Sequence, residues 1–169
     1  SDYYALYKAD AQNTEFFDKN GDSKGFIKSA GFPYFSGKNI FVFLPGGASF
    51  EKCFEDGSTK WTYNGLMPIT AFSAKENFTC IGTADGNVKV FDNESGKVAV
   101  EYAPGGSDYG VILGIDISED GQYIATVSGH DNQRFVLAKK ENTQVRILFH
   151  EFLPNGLSFQ QDIHFTKDG

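Results

Sequence analysis

The chain repeats itself at a spacing of 37 residues. Phe17, Phe54 and Phe91 each end a strand-like run, each is followed by an acidic residue, and the two intervals between them are equal. Self-similarity with a period of about 20–50 residues is typical of solenoids, propellers and other arrays of one supersecondary unit. This period constrains the fold more than any other feature of the sequence.

Each repeat contains short strand-like runs separated by turn residues. In the first three repeats the last two strands are joined by segments rich in Asp, Glu, Asn and Gly, at 18–22, 55–58 and 92–97. Asp, Asn and Gly tolerate the left-handed backbone that tight hairpins require. A fourth, longer repeat places two strands around Asp120-Gly121. Short strands, regular turns and the lack of a helical period predict an all-β propeller of four-stranded antiparallel blades.

The repeats also predict how the chain is divided. Within residues 1–169, blade-like units are expected at about 3–30, 31–65, 68–104 and 111–153, followed by a terminal strand at 161–169. The first unit lacks its first strand, and the terminal strand has no successor. We therefore expect about four blades' worth of a larger propeller. Alternatively, the terminal strand completes the first blade, or two chains build one ring; open blade edges also favour self-association.

Composition excludes several partners. The net charge is −7 and the pI is about 4.9, so the basic footprint of a nucleic-acid-binding protein is missing. No run approaches the roughly 20 apolar residues of a membrane helix, which predicts no membrane insertion. The start at Ser1, without Met or signal peptide, suggests a processed, trimmed or excerpted chain and leaves the compartment open. Cys53 and Cys80 lie in strand-like runs and are predicted to be buried thiols, although a disulfide remains an alternative.

Parts of the third and fourth repeats resemble WD-repeat propellers. Residues 117–125 look like the segment from strand A through a turn to strand B, and residues 84–92 look like strand C, with Phe91-Asp92 in place of Trp-Asp. Residues 93–97 are similar to the turn between strands C and D. In the second repeat, residues 56–63 look more like a blade of quinoprotein-like propellers. The chain thus resembles a divergent member of the WD-repeat and quinoprotein-like β-propeller superfamily.

That resemblance implies a binding face. Propellers of this kind bind through the loops that join strand D to strand A and strand B to strand C. The resemblance places eight residues on that face: Phe32, Pro33, Leu66, Met67, Asp108, Tyr109, His130 and Asp131. Exposed aromatic and Met side chains are typical interface anchors. The alternative is that these side chains pack over the ends of the blades.

The sequence shows no catalytic constellation. None of the three histidines stands at metal-ligand spacing from another His or Cys, and most acidic residues lie in hairpin turns. His130-Asp131 is either a solvated turn pair or a pair that faces a ligand, and His164 is interpreted as a hydrogen-bonded core histidine. Residues 18–22 resemble a calcium loop but lack its closing Glu, because Ser29 stands there. We therefore predict no catalytic residue, no metal and no cofactor.

Two functions follow as hypotheses. The first is a non-catalytic interaction or scaffold module that binds a protein or peptide. The second is an extracytoplasmic quinoprotein-like propeller, either an assembly scaffold or an enzyme that uses pyrroloquinoline quinone. By resemblance, such an enzyme carries a Trp motif in most blades, and this chain has one Trp, Trp61. Ten residues are predicted to be buried between blades: Phe41, Phe43, Phe54, Phe78, Val90, Phe91, Ile115, Ile117, Ile124 and Val136.

Overall fold

All regular secondary structure in the described chain is β-strand. The computed structural model describes residues 1–8, 10–106, 109–154 and 158–166, and these ranges form antiparallel sheets of three or four strands. The predicted all-β propeller class is confirmed. The chain divides into two compact units, Ser1–Pro68 and Ile69–Gly169. A helix able to span a membrane does not occur in the described ranges.

The first unit contains one three-stranded and one four-stranded sheet, each with its strands in sequence order. The three-stranded sheet consists of β1 (Tyr3–Ala5), β2 (Thr14–Asp18) and β3 (Ser23–Ile27). The four-stranded sheet consists of β4 (Phe32–Ser36), β5 (Asn39–Phe43), β6 (Ser49–Cys53) and β7 (Thr59–Asn64). Tight turns connect β2 to β3 and β6 to β7. Gly21 and Gly57 supply the positive φ that these turns require.

The core of the first unit lies between its two sheets. Phe16 is fully buried and packs with residues of β5 and β6, and the ring of Tyr3 meets it edge-on at 5.5 Å between centroids. The cluster contains Phe16, Ile27, Ile40, Val42 and Cys53. Each large side chain of this kind stabilises the fold by about 1.5–3 kcal/mol through burial alone.

The second unit contains two four-stranded sheets, again with strands in sequence order. One sheet consists of β8 (Ile69–Ala74), β9 (Phe78–Thr83), β10 (Val88–Asp92) and β11 (Val98–Tyr102). The other consists of β12 (Ile112–Ile117), β13 (Tyr123–Ser128), β14 (Arg134–Glu141) and β15 (Gln144–Phe152). Their buried faces form one cluster: Cys80, Val88, Val90, Val100, Ile112, Ile115, Ile117 and Ile124.

Both cysteines are buried free thiols, as predicted from their strand-like surroundings. Burial raises the pKa of Cys53 to about 12. The pKa of Cys80 is raised further above the ordinary range, again by burial and secondarily by the charge of Asp116. Neither thiol is therefore available as a thiolate at neutral pH.

Of the predicted core residues, Phe43 and Phe78 are only partly buried. The prediction for Phe54 is wrong because the repeat slips by one residue. The turns that follow β2, β6 and β10 close with hydrogen bonds from the N–H groups of Asp18, Phe54 and Asp92. Phe54 therefore corresponds to Asp18, not to Phe17, and the place of Phe17 is taken by Cys53. The true intervals are 36 and 38 residues. Since side chains alternate between faces, the slip leaves Phe54 49% exposed, while Cys53 and Phe91 are buried.

A buried carboxylate joins two strands of the second unit to the terminal segment. Asp116 on β12 is 1% exposed and accepts a hydrogen bond from the Ser73 hydroxyl of β8. The ammonium group of Lys75 lies 3.1 Å from Oδ1 of the same carboxylate. The backbone N–H of Phe165 donates to Oδ2 at 2.7 Å. A buried charge is tolerated only when it is paired and hydrogen-bonded, and this set of donors supplies both conditions.

Residues 161–166, the terminal segment, lie alongside β12 but do not form a regular strand. The Gln161 N–H donates to the Leu113 carbonyl at 2.8 Å. The rest of the predicted terminal strand, 167–169, lies outside the described residues. The side chain of His164 is 72% exposed and lies 2.8 Å from Asp162, so its interpretation as a core histidine is wrong.

Candidate functional site

Three connections of the second unit line one cleft of about 430 Å³. They are the β9–β10 turn, the β11–β12 connection and the β13–β14 connection. The cleft is lined by Ala84, Tyr109, Gly110, Val111, His130 and Asp131. Because strands alternate in direction within each sheet, B–C turns and D–A connections emerge at the same end. The cleft therefore lies on the face that the resemblance singled out for binding.

Backbone contacts hold the three connections together. The Gly129 N–H donates to the Val111 carbonyl at 3.0 Å, which joins the β13–β14 connection to the start of β12. Gly86 has φ +86°, and a Cβ there would lie 2.5 Å from the Gly110 carbonyl oxygen. Only glycine satisfies both conditions at this position. The wall of the cleft is thus built from close backbone packing.

Hydrogen bonds fix the turn that carries Ala84. The Thr83 hydroxyl donates to Oδ1 of Asp85 at 2.6 Å, and the Asn87 amide donates to Oδ2 at 2.8 Å. These hydrogen bonds, that of Thr83 first, hold the pKa of the Asp85 carboxyl below its ordinary value. The Asp85 side chain is therefore ionised at neutral pH and keeps the turn in one conformation.

The polar part of the cleft is exposed. The Tyr109 residue is 66% exposed. Nδ1 of His130 lies 3.2 Å from Oδ1 of Asp131, and the two side chains are 57% and 80% exposed. Asp131 adopts φ +72°, a left-handed conformation that Asp and Asn tolerate better than most residues. The turn is closed by the Asn132 N–H, which donates to the His130 carbonyl at 2.9 Å.

The side chains of Gln133 and Arg134 form hydrogen bonds with backbone carbonyl groups of neighbouring segments. Arg134 donates to the carbonyl oxygens of Pro104 and Gly105 in the β11–β12 connection. Gln133 is 1% exposed and donates to the Phe159 carbonyl at 2.8 Å. These contacts hold the start of the β11–β12 connection, at Pro104 and Gly105, and the end of the β13–β14 connection, at Gln133, in place.

Three of the eight predicted binding residues meet in this cleft, namely Tyr109, His130 and Asp131. A fourth, Asp108, lies outside the described residues. Leu66 and Met67 lie in the β7–β8 connection and are 97% and 40% exposed. Exposure is a requirement for an interface anchor, so their binding role stays a prediction.

The remaining two predicted residues lie on β4. Phe32 is 50% exposed and its ring meets that of Tyr7 edge-on, with 5.3 Å between the centroids. Pro33 pairs with Val42 of β5 and is partly buried. These two residues combine a packing role with partial exposure, and their binding role also stays a prediction.

Sequence reasoning missed the apolar half of the cleft, formed by Ala84, Gly110 and Val111. Small residues of this kind carry no chemical signature. The Asp85-Gly86 turn signal marks the position of Ala84, and the Gly after Tyr109 marks a close backbone approach. Among the described residues, no group of three or more His, Cys, Asp or Glu side chains could hold a metal ion.

The site and the fold define a class: a β-propeller segment with a preformed loop cleft at one end of its strands. A family model described as beta-propeller protein matches residues 1–169, and the chain belongs to that family.

One relative in sequence and two solved structures of similar fold are also similar to this chain. An uncharacterized protein of Treponema pallidum (strain Nichols) is 32% identical over 166 residues, which cover 98% of this chain and 44% of that protein. Hsv2p of Kluyveromyces lactis has a similar structure, with TM-score 0.62, 15% identity, 83% of this chain covered and 47% of that chain. BamB from Moraxella catarrhalis gives TM-score 0.56 and 18% identity over the same shares. The chain therefore spans about half the length of the proteins it matches.

Proposed function

We propose that this chain is a non-catalytic interaction module that binds a protein or peptide through the loop cleft of its second unit. The observation that carries the proposal is the convergence of Tyr109, His130 and Asp131 on one preformed cleft. An exposed aromatic ring beside polar groups is typical of an interface anchor. Because Gly86 and Gly129 tie the loops together, the cleft is ready to bind without a large loss of backbone entropy.

The chemistry of the titratable groups supports a non-catalytic role. Catalytic acids and bases usually lie in enclosed sites from which water is excluded. The side chains of His130 and Asp131 are largely exposed. Both thiols are buried with raised pKa values, so neither serves as a nucleophile at neutral pH.

A peptide-display selection tests the proposal. The chain is immobilised and random peptides that bind it are recovered, then measured against the Tyr109→Ala/His130→Ala variant. The expected result is that binding falls at least tenfold in this variant. Phe26→Ala is the matched control, because it removes a 47% exposed aromatic ring from β3 of the first unit, and Phe26 does not line the cleft. Recovered peptides that bind the double variant as well as the wild type would overturn the proposal.

A further inference from the structure

The second unit carries nearly all of the net negative charge of the chain. Residues 69–169 contain 14 Asp and Glu against 8 Lys and Arg, a formal net charge of −6, while the whole chain carries −7. The first unit is therefore close to neutral. Such an imbalance raises the local concentration of cationic partners around the second unit and disfavours anionic ones.

The residues that line the cleft also favour a cationic ligand over an anionic one. Its charged group is the carboxylate of Asp131, and neither Lys nor Arg is among the described residues that line it. The His130 ring contacts Oδ1 of this carboxylate. An ionised carboxylate offers about four lone-pair positions on its two oxygens, so this contact leaves capacity for a further donor. An anionic ligand would meet repulsion here.

The same cleft presents an accessible aromatic ring, that of Tyr109. Tyr109 lines the same cleft as Asp131 and is 66% exposed, so its ring is accessible to a ligand. A cation within about 6 Å of an aromatic face is attracted by the ring quadrupole. Ala84 and Val111 offer apolar surface for the methylene stem of a long side chain, which Lys and Arg bury readily.

We propose that the cleft receives the cationic side chain, lysine or arginine, of a basic peptide segment. The ammonium or guanidinium group contacts Asp131 and the ring of Tyr109, while the stem lies along the small apolar residues. This inference rests on the proposed function, because it names the class of partner that the same cleft takes.

A nuclear magnetic resonance titration of the isotope-labelled chain tests the proposal directly. The probe is an acetylated and amidated pentapeptide with one central Lys between glycines. Its control replaces Lys by norleucine, which keeps the stem and removes the charge. The lysine peptide is expected to shift the amide signals of Gly110, Val111 and Asn132, and to bind at least fivefold more tightly than the norleucine peptide. Equal affinity for the two peptides would overturn the proposal.

Variants localise the effect. Asp131→Asn removes the charge, and Asn tolerates the left-handed backbone at this position. This variant is expected to lower the affinity for the lysine peptide about three- to fivefold. Tyr109→Ala is expected to weaken it by a similar factor. Glu119→Gln is the matched control, because it removes the same charge from the β12–β13 turn at the opposite end of β13 and leaves affinity unchanged. Weakening by Glu119→Gln equal to that by Asp131→Asn overturns the proposal, since only bulk charge would then matter.

The display selection separates this inference from the proposed function. Recovered peptides enriched in Lys and Arg, and sensitive to Asp131→Asn, support both. Peptides that require Tyr109 and His130 but are neutral or acidic overturn the cationic inference and leave the interaction module standing. Peptides that are indifferent to every cleft variant overturn the proposed function itself.

Discussion

The backbone N–H of Phe165 donates a 2.7 Å hydrogen bond to a carboxylate oxygen of Asp116, a residue that is 1% exposed. The same carboxylate accepts from Ser73 and pairs with Lys75. One buried side chain thus fixes the terminal segment against β12 and joins β12 to β8. Removal of the carboxylate takes one hydrogen-bond acceptor away from each of Ser73, Lys75 and the Phe165 amide.

We predict that Asp116→Ala lowers the free energy of unfolding by about 3 kcal/mol, since truncating a buried, hydrogen-bonded carboxylate removes several contacts at once. The amide of Phe165 should also exchange with solvent much faster, because its acceptor is lost. Urea denaturation and hydrogen exchange measure the two effects. Asp162→Ala is the control, because it removes an 89% exposed acidic side chain from the same segment and should change stability by less than about 0.5 kcal/mol. Equal denaturation midpoints for the two variants would contradict this role of Asp116.

The one-residue slip of the repeat gives a second prediction. Phe91→Ala should lower the free energy of unfolding by about 3–5 kcal/mol, because the ring is 1% exposed and its removal leaves a cavity. Phe54→Ala should lower it by about 1 kcal/mol or less, because that ring is 49% exposed. Both variants remove the same atoms, so thermal or urea denaturation compares them directly. A loss at Phe54 as large as that at Phe91 would restore the 37-residue alignment and refute the slip.

Local turn chemistry made most of the fold predictable from the sequence. Asp120-Gly121 and the glycine at position 57 mark hairpin turns by their own backbone preferences, and they do so without knowledge of tertiary structure. Their regular recurrence identified four-stranded units. Phe54 was misplaced because corresponding strands of successive repeats differ in length, with five residues in each of β3, β4 and β5 and six in each of β7, β8 and β9. A shift of one residue reverses which face each side chain occupies.

The candidate site was only partly predictable. Tyr109, His130 and Asp131 were named because the resemblance to WD-repeat propellers places the D–A and B–C loops on one binding face. Ala84 and Val111 were missed because small apolar residues acquire a role only when separate loops meet. The role of Asp116 was invisible for the same reason, since its partners lie on another sheet and in the terminal segment.

The buried thiols predict a pH dependence of stability. Burial holds the pKa of Cys80 far above the value of about 8.5 expected in the unfolded chain. Above pH 8.5 the unfolded state therefore releases a proton that the folded state retains, so stability falls as pH rises. The contribution is about 1.4 kcal/mol per pH unit for one thiol.

The comparison with Cys80→Ala isolates that effect, because alanine does not titrate. Near neutral pH the variant is less stable than the wild type, because the substitution leaves a cavity. As pH rises from about 8.5 to 10.5, the wild type loses the contribution of Cys80 and the difference in stability should narrow. Urea denaturation at a series of pH values gives the difference. A constant difference across this range would show that the Cys80 pKa is not raised by folding.

The close approach of Gly86 to Gly110 gives the last prediction, which compares two glycines of similar conformation. Gly86 and Gly46 have φ values of +86° and +96°, but a Cβ at Gly46 meets nothing within 4 Å, whereas one at Gly86 meets the Gly110 carbonyl. Gly46→Ala should lower stability by about 1–2 kcal/mol through backbone strain alone. Gly86→Ala should lower it by a further 1–3 kcal/mol or so, because the two loops must move apart. That movement also widens the cleft, so Gly86→Ala should weaken cleft-binding peptides while Gly46→Ala leaves them unchanged. Equal stability losses in the two variants, measured by urea denaturation, would show that the contact with Gly110 does not hold the cleft together.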